Sequence, residues 1–272
     1  MLSVVKIIKS FITKIAVPIF FILLWEVFSR MGIFSSALLP APSRILSALA
    51  DWMFGNSGVA EANSGQWIVD ATSSATRVIV GYGLAVLCAV TVGIIIGWSK
   101  FAEKLLEPTI QMLRPIPPVA WIPLAIIWFG IADRPAIFLV FLASFFPILI
   151  NTIHGVKTVD KNLVRAGGMM GANQWHLLRY VILPAALPSI SSGMRIGVGS
   201  AWMLTVTAEM IAVKSGLGYV LWDSYYFLRY DLVIASMVSI GLLGFLTDFL
   251  LKKIIAAVLP WQRGVSIEST ES

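Results

Sequence analysis

Long apolar runs make up most of this chain, and short polar stretches separate them. Six runs meet the minimum of roughly 17 residues that a helix needs to cross a bilayer. They are Ile15–Met31, Ser74–Trp98, Thr109–Ile131, Ala136–Gly155, Leu187–Val213 and Leu232–Leu259. The third contains Pro115, Pro117, Pro118 and Pro123. Proline removes a backbone donor, so this segment must kink, or its first part must be a cytoplasmic or re-entrant stretch. Lys6, Lys9 and Lys14 precede the first run, as in a secretion signal. However, Glu26 and Arg30 end that run and no small-residue cleavage site follows closely, so a retained span is expected.

Composition agrees with this pattern. Hydrophobic residues make up 58% of the chain, charged residues 12%, and the mean hydropathy is +0.88. A soluble domain carries about 25% charge, so the fold class expected is all-α integral membrane with about six transmembrane helices. The net charge of +6 does not indicate nucleic-acid binding, because in such a chain the placement of charge matters more than its sum. With the N-terminus inside, twelve Lys and Arg residues between Lys6 and Arg263 fall in cytoplasmic segments. Only Arg30, Arg44, Arg134, Lys214 and Arg229 fall outside, which places both termini in the cytoplasm by the positive-inside rule. The lone Cys88 excludes a disulfide framework, and His154 and His176 are too few and too distant for a metal site. No nucleophile–base or carboxylate pair stands out as a catalytic centre.

Two polar regions carry structure of their own. On the outer side, Ser43 is expected to cap a short interfacial helix with Ile45, Leu46, Leu49 and Trp52 or Met53 on one face. A flexible linker, Gly55–Gly65, follows it. On the inner side, a basic loop runs from Lys157 to Pro188. Asp160 is placed to cap a helix reaching about Met170, Gly171 suits a left-handed turn, and Asn173 is placed to cap a second helix. Pro184 is expected to stop that helix, and the next span to begin after Pro188. Leu163, Met169, Met170 and Trp175 would be costly in water uncovered, so the loop either docks on a partner or packs on its own membrane domain.

The loop resembles the EAA motif of the inner-membrane permeases of binding-protein-dependent ABC transporters. That motif reads E-A-A, three residues, Gly, nine residues, Ile, one residue, Leu-Pro. Ala166, Gly171, Leu183 and Pro184 match it, and Val181 stands conservatively at the Ile position. Arg165 replaces the usual Glu, and Gly167 the second Ala. The segments RPIPPVAWIPLAIIWFG (114–130), LPAALPSISSGMRIGVGSAWMLTVTAEMI (183–211) and SGLGYVLWD (215–223) are similar to the nitrate, sulfonate, taurine and bicarbonate branch, as is LLPAPS near the N-terminus.

The resemblance implies a type I permease in a bacterial inner membrane. It implies an N-terminal span with a periplasmic segment over 1–70, a permease domain over 71–253 and a cytoplasmic tail over 254–272. Residues Arg165, Ala166, Gly167, Gly171, Trp175, Val181, Leu183 and Pro184 would form the coupling helix, seated on a separate ABC ATPase. A second permease copy, a substrate-binding protein and membrane lipid complete the implied partners. The chain has no P-loop sequence, so ATP and Mg would sit on the partner and no cofactor on this chain. The implied substrate is a small oxyanion such as nitrate, a sulfonate, taurine or bicarbonate. A secondary transporter independent of ATP is the alternative, though no inverted repeat supports it.

The transport path is expected along the fifth span. Arg195 lies about eight residues, roughly 12 Å, into it, where it either attracts an anion or snorkels to the interface. Glu209, beside Thr205 and Thr207, makes either a structural hydrogen bond or a gate. Trp202 is expected to pack, and Gly93-Ile-Ile-Ile-Gly97 and Gly193-Met-Arg-Ile-Gly197 to allow close helix approach.

Overall fold

The computed structural model describes residues 2–31, 38–55 and 63–259, with side chains from residue 16 onward. Among them, every regular element is a helix. In chain order these are α1 (Leu2–Arg30), α2 (Pro42–Phe54), α3 (Trp67–Trp98), α4 (Lys100–Leu113), α5 (Ile122–Phe129) and α6 (Asp133–Lys157). Then come α7 (Lys161–Met169), α8 (Gln174–Leu177), α9 (Leu183–Ala212), α10 (Leu217–Tyr226) and α11 (Tyr230–Val258). Four helical stretches, Trp67–Trp98, Asp133–Lys157, Gln174–Ala212 and Tyr230–Val258, are long and apolar enough to cross a membrane. The helices Lys100–Leu113 and Pro118–Phe129 are apolar and long enough only taken together and are bent by 85° at their junction, as in a broken span or a re-entrant loop. The break falls at Pro115, Pro117 and Pro118, as their missing donors require. Helix α1, with 29 residues, also has the length to span.

Two compact units make up the chain: Met1–Ala71 with Val220–Ser239, and Thr72–Tyr219 with Ile240–Ser272. In the first, α2 starts two residues earlier than the capping argument expects. Ala41 is the N-cap and Pro42 occupies the first turn, where its fixed φ suits a helix start. Ser43 therefore lies inside α2, and its N–H and Oγ–H donate to Glu26 at 3.0 and 2.8 Å. The inward face of α2 is Ile45, Ala48 and Trp52, while Leu46 is exposed. Trp52 Nε1 donates to Asp70 at 3.2 Å, and Trp67 Nε1 to Ser239 at 3.0 Å. Gly55 ends α2 in the left-handed region. Residues 56–62 of the expected linker and most of the C-terminal tail lie outside the described residues.

In the second unit, α6 is packed against both α3 and α9 along stripes of small residues. A Cβ on Gly93 would sit 2.7 Å from Thr152, and one on Gly97 2.7 Å from Val156. On the other side, a Cβ on Gly193 would meet Asn151 at 2.6 Å, and one on Gly197 would meet Ile148 at 3.0 Å. Both small-x-x-x-small patterns thus serve close helix approach. The apolar core between these helices includes Ala85, Ala89, Ile148 and Leu149, and a second cluster joins Ile122, Leu139, Leu204 and Ala208.

The prolines after α8 do not stop the chain's helical course. Gln174–Ala212 forms one span, because a π-turn over Leu178–Ile182 joins α8 to α9. The Leu183 N–H bonds to Leu178 O, five residues back. Pro184 then falls in the first turn of α9, where no donor is needed. Pro188 lies inside α9, and Ser191 and Ser192 donate to its carbonyl.

Candidate functional site

Local backbone chemistry builds the inner loop. Asp160 caps α7 by accepting from Asn162 N at 2.8 Å, and Asn173 caps α8 by accepting from His176 N at 2.9 Å. Between them Gly171 sits at φ 81°. Its N–H bonds to Gly168 O at 3.0 Å, and Ala172 N bonds to Gly167 O at 3.1 Å. This pair of bonds is a Schellman motif, and a residue without Cβ adopts its left-handed position at no steric cost. The elbow is closed from within, because a Cβ on Gly167 would lie 2.7 Å from Leu177 Cδ2 and 3.7 Å from Val181 Cγ2.

Outside the elbow, the loop is open. No residue of α7 is buried, and Arg165 and Ala166 are exposed. Met169 is 84% exposed, Met170 87% and Trp175 64%. Leu183 and Pro184 are half-buried at the start of α9. An exposed apolar surface of this size on a rigid knob is suited to being covered. Beside it, Lys157 at the end of α6 donates to Glu103 on α4 at 2.7 Å. That hydrogen bond and the lysine charge hold the Glu103 carboxyl below the ordinary carboxylate range.

The four path candidates of α9 share one face, and all are engaged by other helices or by α9 itself. Arg195 makes two hydrogen bonds to Asp248 of α11, at 3.0 and 2.8 Å. Trp202 Nε1 donates to Thr247 at 2.8 Å, and Thr205 is buried, donating to Ala201 O. Glu209 is fully buried, and three donors reach it: Arg77 Nη1 at 2.6 Å, Ser74 Oγ at 2.9 Å and Gly218 N at 2.8 Å. Arg77 also donates to Asp133 at 2.8 Å and to Ser215 O and Oγ at 2.8 and 2.7 Å. The Ser215-Gly216-Leu217-Gly218 turn wraps this centre so closely that a Cβ on Gly216 would lie 2.5 Å from Glu209 Oε1. Arg77, Asp133 and Asp248 were not among the sequence-derived site residues. The signal for Arg77 and Asp248 is the cost of a charge within an apolar run, which demands a partner.

A different face of α9 lines a cleft. Ile196, Ser200, Met203 and Leu204 close one side, and Phe146, Pro147, Ile150 and Asn151 of α6 another. Arg114, Ile116, Pro117 and Pro118 at the break after α4 complete a space of about 560 Å³.

A family model described as the binding-protein-dependent transport system inner membrane component matches residues 89–260. The chain belongs to this family. The permease is 38% identical over 256 residues to a putative ABC transporter permease protein of Methanocaldococcus jannaschii, covering 94% of each chain. It is 36% identical over 237 residues to the taurine transport system permease protein of Escherichia coli, covering 87% of this chain and 85% of that one. Its fold matches a subunit of the MetNI methionine ABC transporter in inward-facing conformations. There the TM-score is 0.61 at 17% identity, over 74% of this chain and 99% of the other. The permease therefore has the type I fold, and it is a multi-pass inner-membrane protein.

Proposed function

We propose that this permease is the membrane path of an ATP-driven importer of a small sulfonate or related oxyanion, working as a homodimer with both termini in the cytoplasm. A binding protein would deliver substrate at the outer face, and ATP with Mg would bind only to the partner ATPases. The loop around Gly171 would seat on the ATPase, with the permease domain spanning 71–253 and the tail 254–272 in the cytoplasm. The observation that carries this reading is the capped, exposed elbow joined to α9 without a break. A push on Met169, Met170 or Trp175 passes through the π-turn directly into a membrane-spanning helix. An ATPase shifts the access equilibrium only by contacting its two states differently, and a rigid lever supplies that difference. Similarity to the taurine permease supports the sulfonate class.

The test is uptake of labelled taurine into proteoliposomes holding the permease, its ATPase and its binding protein. Uptake should require ATP and should fall about tenfold or more in Gly171→Val, whose branched side chain the left-handed backbone rejects. ATPase assembly should weaken in parallel. Normal assembly and uptake in that variant would sink the docking model. Uptake driven by an ion gradient without ATP would favour a secondary transporter.

A further inference from the structure

We propose that the cleft at Arg114 is an anion station, where a monoanionic sulfonate or planar oxyanion pauses within the membrane. This rests on the permease reading above. Arg77 and Arg195, both inside the spans, are neutralised. Arg77 is paired with Glu209 and Asp133, and Arg195 with Asp248. Arg114 forms no ion pair with a described residue, and it is exposed into the cleft. Arg114 shares the cleft with Asn151, six residues from the end of α6, and with Met203, nine residues from the end of α9. At 1.5 Å per residue these two lie about 9 and 14 Å along their helices from those ends. A guanidinium on the wall of a cleft between spans, with no ion pair to a described residue, suits water or an anion, and such residues mark ion pathways.

The chain breaks at this point for a reason that serves the site. Arg114 closes α4 through its N–H to Ile110 O, and the prolines that follow turn the helix by 85°. The turn leaves the arginine at the end of one helix segment rather than packed between neighbours. Asn151 Nδ2 spends one N–H on Pro147 O at 2.8 Å, which leaves its second N–H and its carbonyl for a ligand. Ser200 donates to Ile196 O and keeps its lone pairs. The rest of the lining is apolar, including Phe146, Pro117 and Met203. One forked cation and one amide donor suit the flat oxygen edge of a sulfonate or nitrate. So few polar groups hold the anion weakly, as transit requires.

The test reads charge preference directly. In a Cys88→Ser background, Ser200→Cys is labelled in the permease–ATPase complex by a sulfonate-bearing thiosulfonate and, separately, by a trimethylammonium-bearing one. The anionic reagent should be preferred, and Arg114→Gln should cut the anionic-to-cationic rate ratio about tenfold. Arg114→Lys should retain the ratio. An unchanged ratio in Arg114→Gln, or no labelling at all, overturns the station. The two readings fail separately. Charge-selective labelling without ATP-dependent uptake would discard the importer and keep the site, while ATP-dependent uptake without charge preference would do the reverse.

Discussion

The two ends of α9 are held in opposite ways. At the inner end, the chain emerges from an elbow built by neighbours in sequence: Asp160, Gly171 and Asn173 satisfy backbone groups within a few residues. At the outer end, Glu209 is fixed by Ser74 and Arg77, more than 130 residues away in sequence. The inner end exposes apolar side chains, and the outer end buries charge. An end made of local turns keeps its shape while moving as a unit. An end tied to α3, α6 and the Ser215–Gly218 turn resists displacement. Under the proposed importer mechanism, the contrast suits a helix pushed at its elbow against an anchor at its other end.

The sharpest way to break this comparison is Glu209→Ala. It strips the buried Arg77 of one carboxylate, and breaking a buried pair on one side costs about 3–5 kcal/mol. Thermal unfolding of the purified protein should show the loss, and Arg77→Met combined with Glu209→Met should recover most of it. Trp175→Ala, at the inner end, should leave unfolding within about 0.5 kcal/mol of wild type. A small effect of Glu209→Ala would mean that the outer end is no anchor.

Glycine to alanine gives the next contrast. At Gly216, with φ 110°, the new methyl would fall 2.5 Å from Glu209 Oε1 and 2.6 Å from Arg77 Nη1. The strain and the displaced ion pair should together cost about 2–4 kcal/mol in unfolding. At Gly171, with φ 81°, the methyl meets nothing within 4 Å. Only the left-handed backbone penalty of about 1–2 kcal/mol remains, and it falls on the elbow. Proteolysis of the loop should register it while global unfolding hardly moves.

The same division explains what was legible in the sequence. The elbow was readable because its determinants are local: a capping Asp, a turn Gly and a capping Asn lie within fourteen residues, from Asp160 to Asn173. Four spans were readable from their lengths, and the break after α4 from its prolines. Pro184 misled because a proline ends a helix only if its N–H is needed, and the π-turn removed that need. Ser43 misled because Pro42 claimed the first helical turn. The Arg77–Glu209 centre was illegible because nothing local tells which distant carboxylate a buried arginine will find. The path candidates fell on the engaged face of α9 for the same reason. Spacing reveals which residues share a face, but not what that face meets.

Arg195→Ala is the third test, with a smaller effect. It leaves Asp248 alone between α9 and α11, and a half-exposed pair of this kind is worth on the order of 1 kcal/mol. Adding Asp248→Asn should restore the difference. Because Arg195 is already paired, taurine uptake at limiting substrate should stay near wild type, and a loss there would return this residue to the path.

The smallest effect should come from Lys157, which ties α6 to α4 beside the loop. Its salt bridge to Glu103 is 2.7 Å long and both side chains are 34% exposed. The bridge lowers the Glu103 carboxyl from its ordinary value of 4.5. A lowered carboxylate stabilises the fold at every pH above that ordinary value, and the contribution disappears as pH falls through the lower, folded value. Unfolding of wild type and Lys157→Gln should therefore differ by a small constant amount from pH 8 to about 5. The two curves should begin to converge below the ordinary value of 4.5 and meet once pH has fallen through the lowered, folded value. A difference that grew toward acid instead would mean that the bridge is not the source of the stability at this end of α6. The inner end would then owe its shape to the elbow alone.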